Sequence, residues 1–130
     1  MKFYTYDVKN NLDLYIDEKN VLELLKFKSF CFGYARQSTN KQNSIEEQVY
    51  YIKKRAFENN YEYLLLFICR GSGWDVNNLN KLKDFTNMMK IIPKLRNNNL
   101  ITLGNFVIYV YDVSRFMRNI LIASKFINDI

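Results

Sequence analysis

No histidine occurs anywhere in the chain. That excludes Ser-His-Asp hydrolysis, imidazole general bases and histidine-based metal sites. Cysteine is nearly as scarce: only Cys31 and Cys69, each inside an apolar run. Two separated thiols without histidine do not make a zinc site, and they argue against a disulfide framework. An intracellular, reducing setting is therefore expected. There is one proline, Pro93, and four glycines. No apolar run approaches the roughly 20 residues that a membrane span requires. Charges also follow the first residues too closely for a signal peptide, so no membrane association is expected.

What is present fits one domain. The 130 residues suffice for one real core, and 48% hydrophobic with 25% charged residues is ordinary globular composition. The formal charge is +6 with a pI near 9.3, which favours polyanionic partners, nucleic acid above all. Abundant Asn, Lys, Ile and Tyr have AT-rich codons, so part of the lysine excess reflects genome bias.

The pattern sharpens after residue 28. "SFCFGYA" reads as a buried strand. "SIEEQVYYIKKRAFENN" reads as a helix, with Ser44 and Glu47 as a capping box and Ile45, Val49, Ile52 and Ala56 on one face. "YEYLLLFIC" is a second strand, followed by a "GSG" loop. "NLNKLKDFTNMMKII" is a second helix, with Leu79, Leu82, Phe85 and Met89 on one face, which Pro93 is expected to end or kink. "FVIYVYDV" is a third strand, and "RNILIASKFINDI" begins a third helix. Residues 1–28 are expected to be an extension, ordered in part at best. Within it "LDLYIDEKNVLELLKF" is a candidate amphipathic helix near its end, using Val21, Leu22, Leu24 and Leu25.

Alternating strands and helices imply an α/β fold with a parallel sheet and right-handed crossovers. Its ligand site is expected beyond the carboxyl ends of the strands. In the common 2-1-3 order, strands one and three are neighbours. Their exits carry "ARQST" and "DVSRFMR". This topology would bring Arg36 and Ser38 near Arg115 and Arg118. Three guanidinium groups around a hydroxyl suit a phosphodiester, because they grip phosphate oxygens and lower the barrier to serine attack without a histidine. Singly, each feature is commonplace: Arg-x-Ser occurs in many loops, and arginines three apart usually form a solvated helix face. Trp74 reads as a packing anchor and Cys69 as a buried small hydrophobe. Asp112 either orients an arginine or caps a helix. Lys53, Lys54, Lys81, Lys83 and Lys90 read as solvated faces, with phosphate contacts as the other possibility.

"YARQSTNKQNSIEEQ" resembles the opening motif of the serine recombinases, the resolvase/invertase family, and "YVYDVSRFMRN" resembles the family's Arg-x-x-Arg motif. "GSGW" resembles the mobile loop between them. The likeness runs from about Cys31 to Ile130 in the family's order. It implies a flavodoxin-like, three-layer catalytic domain over residues 29–130. It also implies Ser38 as the nucleophile on DNA, with Arg36, Arg115 and Arg118 around the scissile phosphate and Gln48 as a supporting polar residue. The implied reaction is strand cleavage and rejoining through a 5′-phosphoserine link, with no metal and no cofactor. Implied partners are double-stranded DNA and further copies of the chain as dimer or tetramer, with no small-molecule substrate.

The sequence departs from the family pattern in places. Ser114 stands where the family often has Asp. An acidic residue usual at the end of strand two falls at about Cys69. "WDVNNLNK" offers no arginine after the Gly-Ser-Gly loop. The family's next strand, long helix and DNA-binding domain have no counterpart before Ile130, so a truncated domain is expected. Two alternatives remain at this level: a catalytically inactive remnant that only associates with DNA or protein, and an unrelated flavodoxin-like signalling domain, disfavoured by the lack of an acidic pocket at strand one.

Overall fold

A computed structural model describes residues 1–36, 44–69, 83–102 and 106–111. The centre of the sheet is β3 (Phe30–Arg36), and its sequence explains why. Six of its seven residues are buried, as a strand covered on both faces requires. Phe30, Phe32 and Tyr34 enter one core cluster, and Cys31 and Ala35 enter another. This is the period-two alternation of a strand. On one side β3 pairs in parallel with β4 (Tyr63–Cys69), Phe32 opposite Leu65 and Arg36 opposite Cys69. On the other it pairs in parallel with β5 (Ile108–Val110), Phe32 opposite Ile108. The order β4-β3-β5 is the expected 2-1-3 arrangement.

Helix α2 (Ile45–Glu58) connects β3 to β4 and buries Ile45, Gln48, Ile52 and Ala56. Ile52 and Ala56 share a cluster with Cys31, Ala35, Leu64 and Leu66. Gly33 makes this approach possible. A Cβ built there would lie 2.6 Å from Ile52 Cγ2 and 2.9 Å from Leu66 Cδ2. Both distances are closer than real Cβ atoms come. Helix α3 (Lys83–Asn97) lies on the opposite face, with Met88, Met89, Ile91 and Leu95 buried among Phe32, Leu65 and Phe67.

Pro93 does not end this helix: it lies inside α3, which runs on to Asn97. Proline forfeits one backbone hydrogen bond to the carbonyl four residues earlier. Ile91, 1% exposed, and Leu95, fully buried, flank Pro93 and anchor the helix on both sides of the fault.

The first 28 residues also depart from expectation. Residues 2–17 form an antiparallel hairpin, β1 (Lys2–Asp7) and β2 (Leu12–Asp17), with Tyr4 opposite Tyr15. Asn11 takes the left-handed conformation that its turn needs. β1 then pairs antiparallel with β4, Tyr4 opposite Leu66. Among the described residues the sheet is therefore five-stranded and mixed, β2-β1-β4-β3-β5, and only its β4-β3-β5 part is the parallel sheet expected. The signal was the alternation Phe3, Thr5 against Tyr4, Tyr6: Phe3 packs edge-on against Phe67, and Tyr6 is buried on the α2 side. The expected helix survives as α1 (Glu18–Leu24), capped by Asp17, whose carboxylate accepts the Asn20 N–H at 2.9 Å. Val21 and Leu25 dock it onto the α3 face. Among the described residues, no helix is long and apolar enough to cross a membrane.

Candidate functional site

The two parallel strands β3 and β5 leave the sheet side by side at their carboxyl ends. β3 leads into the segment that carries Ser38, and β5 into the segment that carries Arg115 and Arg118. Ser38, Arg115 and Arg118 themselves lie outside the described residues, as do Trp74, Asp112, the Gly-Ser-Gly loop and the third helix. Arg36 and Gln48 are described, and the structure brings them into contact.

Arg36 is the last residue of β3 and is half-buried. The Phe32 N–H donates to the Val107 carbonyl at 2.8 Å, so the N–H groups of alternate β3 residues point toward β5. Arg36 is two such steps on. The ladder of β5, however, ends with Val110 opposite Tyr34. At Arg36 a side chain takes over from the strand: the Arg36 N–H donates to Gln48 Oε1 at 3.1 Å, and Gln48 Nε2 donates to the Arg36 carbonyl at 2.8 Å. The Gln48 amide thus imitates one more residue of a neighbouring strand. Leaving such backbone groups buried and unpaired would cost roughly 1–3 kcal/mol.

Helix α2 holds Gln48 in place. Ser44 caps it in extended conformation, and Ser44 Oγ accepts the Glu47 N–H at 3.2 Å, the first half of the expected capping box. The Gln48 N–H makes the first helical bond, to the Ser44 carbonyl at 3.0 Å. Glu46 and Glu47 in the first turn complement the helix dipole. Gln48 falls on the inner face with Ile45 and Ile52 and is 5% exposed. The cap, the helix and the amide therefore fix the backbone from which the next residues, including Ser38, depart.

The Arg36 guanidinium brings a positive charge to this end of the sheet. Its Nε is buried and has no hydrogen-bond partner among the described residues. The residue opposite Arg36 in the register is Cys69, 2% exposed, which agrees with its reading as a small buried hydrophobe. The other thiol, Cys31, is pushed by burial up to about 12, so it stays protonated and inert at neutral pH.

Sequence reasoning misjudged Lys53. It is not simply a solvated lysine: Nζ pairs with Asp13 at 2.9 Å and lies 4.2 Å from the centre of the Tyr6 ring. Tyr4 Oη donates to the same Asp13 carboxylate at 2.7 Å. Burial opposes ionisation of Asp13, yet the hydrogen bonds from Lys53 and Tyr4 and the lysine charge hold its carboxyl below the ordinary value. Burial, and then the bond to Asp13, raise the Tyr4 phenol well above its ordinary value. The only sequence signal for this cluster was the run of alternating tyrosines near the amino terminus. Lys54 and Lys90 are exposed, as read.

Residues 31–130, the greater part of the chain, match the family model described as the resolvase N-terminal domain. No curated protein and no solved structure matches the chain.

Proposed function

The chain belongs to the resolvase N-terminal domain family, and from that premise we propose that it is a serine-recombinase catalytic domain that cuts and rejoins DNA through Ser38. Membership supports DNA as partner and recombination as the process. The single observation that carries the finer reading is the meeting of Arg36 and Gln48 at the paired exits of β3 and β5.

In this reading Ser38 Oγ attacks a backbone phosphorus and loses its proton. The bond from phosphorus to the 3′-oxygen breaks, and that oxygen leaves as a hydroxyl after taking up a proton. The 5′-phosphate stays esterified to Ser38, so the phosphodiester energy is conserved for rejoining by the reverse step. Arg36, Arg115 and Arg118 neutralise the phosphate oxygens as charge builds in the transition state. The Nε of Arg36, which has no partner among the described residues, supports this role, because an oxyanion there would satisfy a buried donor. Gln48 acts through the backbone: it fixes the end of β3 and so the aim of Ser38. The flavodoxin-like, three-layer description of residues 29–130, the action on double-stranded DNA inside the cell, and self-association into dimers or tetramers belong to the same proposal.

A second reading has one observation in its favour. The buried neighbour of Arg36 is a thiol, Cys69, where the family resemblance leads one to expect a carboxylate. A non-catalytic module that associates with DNA or with a relative would tolerate that change. Covalent trapping separates the two readings. Nicked duplex DNA that cannot be religated is incubated with the protein, and a denaturation-resistant adduct is sought by gel shift. The catalytic reading expects an adduct that Ser38→Ala abolishes. No adduct from the native chain, or an adduct that survives Ser38→Ala, overturns it.

A further inference from the structure

The hairpin of β1 and β2 lies outside the segment that matches the family. Between this hairpin and α2 runs an open groove of about 860 Å³. It starts at Ile45 and Glu46, at the end of α2 nearest the exit of β3, and follows the helix to Phe57 and Lys9.

The helix side of the groove repeats two chemistries along one face. Tyr50, Lys53, Lys54 and Phe57 are spaced 0, 3, 4 and 7, the spacing that stacks side chains on one side of a helix. Tyr15 faces them from the hairpin. These rings are open to solvent: Tyr15 is 60% exposed, Tyr50 69% and Phe57 68%. Behind them the floor is already set. Tyr4 stacks on Tyr15 with ring centres 4.9 Å apart, and Lys53 is pinned between Asp13 and the Tyr6 ring. Two further cations, Lys9 and Lys54, are exposed and make no ion pair among the described residues. With Lys53 and Asp13 neutralising each other, two lysines, Lys9 and Lys54, line the groove against one carboxylate, Glu46.

We propose that this groove binds single-stranded nucleic acid, stacking unpaired bases on Tyr15, Tyr50 and Phe57 and holding phosphates with Lys9 and Lys54. Alternating rings and cations along a track are what a strand with free bases needs: every base has a face to stack, and every step has a phosphate to neutralise. A duplex hides its base faces and would use only the lysines. An acidic peptide would use the same lysines, but would not need three rings held open. The net charge of +6 adds the long-range attraction. The proposal goes beyond the catalytic reading and is independent of Ser38.

The test is fluorescence anisotropy with the full chain carrying Ser38→Ala, so that no cleavage intervenes. The probes are a labelled oligothymidylate and a labelled duplex, with polyglutamate as competitor. The single strand is expected to bind more tightly than the duplex and to resist polyglutamate. Tyr50→Ala and Phe57→Ala are each expected to weaken single-strand binding by roughly tenfold and to leave duplex binding unchanged. Lys54→Gln is expected to weaken it and to flatten its salt dependence. All three positions are exposed, so circular dichroism should report an unchanged fold. Equal binding of strand and duplex, indifference to ring removal, ready displacement by polyglutamate, or no binding at all each overturns the proposal. None of these results touches the adduct assay, so the two readings fail separately.

Discussion

Between the sheet and helices α1 and α3 the space is filled by rings and long side chains: Phe3, Phe30, Phe32, Phe67, Met88 and Met89. Between the sheet and α2 the small residues Cys31, Ala35 and Ala56 sit among Tyr6, Ile52, Leu64 and Leu66, with Gly33 where Ile52 comes closest. The first face gathers more buried side chains and more of the large rings, so it contributes more to stability. The second brings a helix close enough for one short amide, Gln48, to reach the backbone of β3. The difference teaches a division of labour: the thick face holds the sheet together, and the thin face sets where the exit of β3 points.

The comparison can be broken most forcefully at Phe32. This ring is fully buried and meets Phe30, Phe67 and Phe106. Phe32→Ala should cost about 3–5 kcal/mol in denaturant unfolding. Under conditions where the variant is still folded, the Arg36 amide should keep its hydrogen-exchange protection, because the ring does not hold it.

Gly33→Ala probes the thin face. The new methyl meets the branch methyl of Ile52, which cannot swing away, and the cost should be roughly 1–3 kcal/mol. Adding Ile52→Ala should recover part of that loss, giving a double-mutant cycle far from additive. DNA adduct formation should fall more in Gly33→Ala than stability alone explains, because α2 carries Gln48. Equal sensitivity of adduct yield to Phe32→Ala and Gly33→Ala at matched stability would erase the proposed division.

Gln48→Glu sharpens it further. A carboxylate can accept from the Arg36 N–H but cannot donate to the Arg36 carbonyl, so half of the clamp is lost, at roughly 1–3 kcal/mol. Because the Arg36 N–H keeps an acceptor, its exchange should stay slow, like that of Phe32, whose N–H bonds to Val107, and the loss should appear in denaturant unfolding.

The smallest effect concerns the hairpin's link to α2. The folded-state carboxyl of Asp13 titrates below its ordinary value. Its contribution is therefore present above the ordinary carboxylate range, near pH 4, and is lost as the pH falls through the lower folded value. Because the Asp13 side chain is 47% exposed, the whole effect should stay below about 1 kcal/mol. Lys53→Met should remove most of this acid dependence in a pH series of unfolding curves.

Much of this was legible before any coordinates. The central strands announce themselves as unbroken apolar runs, because a strand covered on both faces has no polar side to show. Helix α2 is marked by Ser44 and by the alternating four- and three-residue spacing of Ile45, Val49, Ile52 and Ala56. The amino-terminal hairpin was harder to see, because Tyr4, Tyr6 and Tyr15 carry polar tips on apolar rings and read as a surface until a partner covers them. Pro93 did not stop α3 because its local penalty is offset by Ile91 and Leu95, whose burial is a tertiary matter.

The sequence by itself determined the order of strands and helices from β3 to β5, the positive charge, and the residue types Arg36, Ser38, Gln48, Arg115 and Arg118 at their spacing. Those follow from side-chain type and spacing along the chain. Only the tertiary structure decided that the first strand joins the sheet antiparallel to β4, that β3 lies between β4 and β5, and that the Gln48 amide completes the ladder at Arg36. Those depend on which backbone groups lack partners once the core has closed, and that is a property of the packed chain rather than of any segment of it.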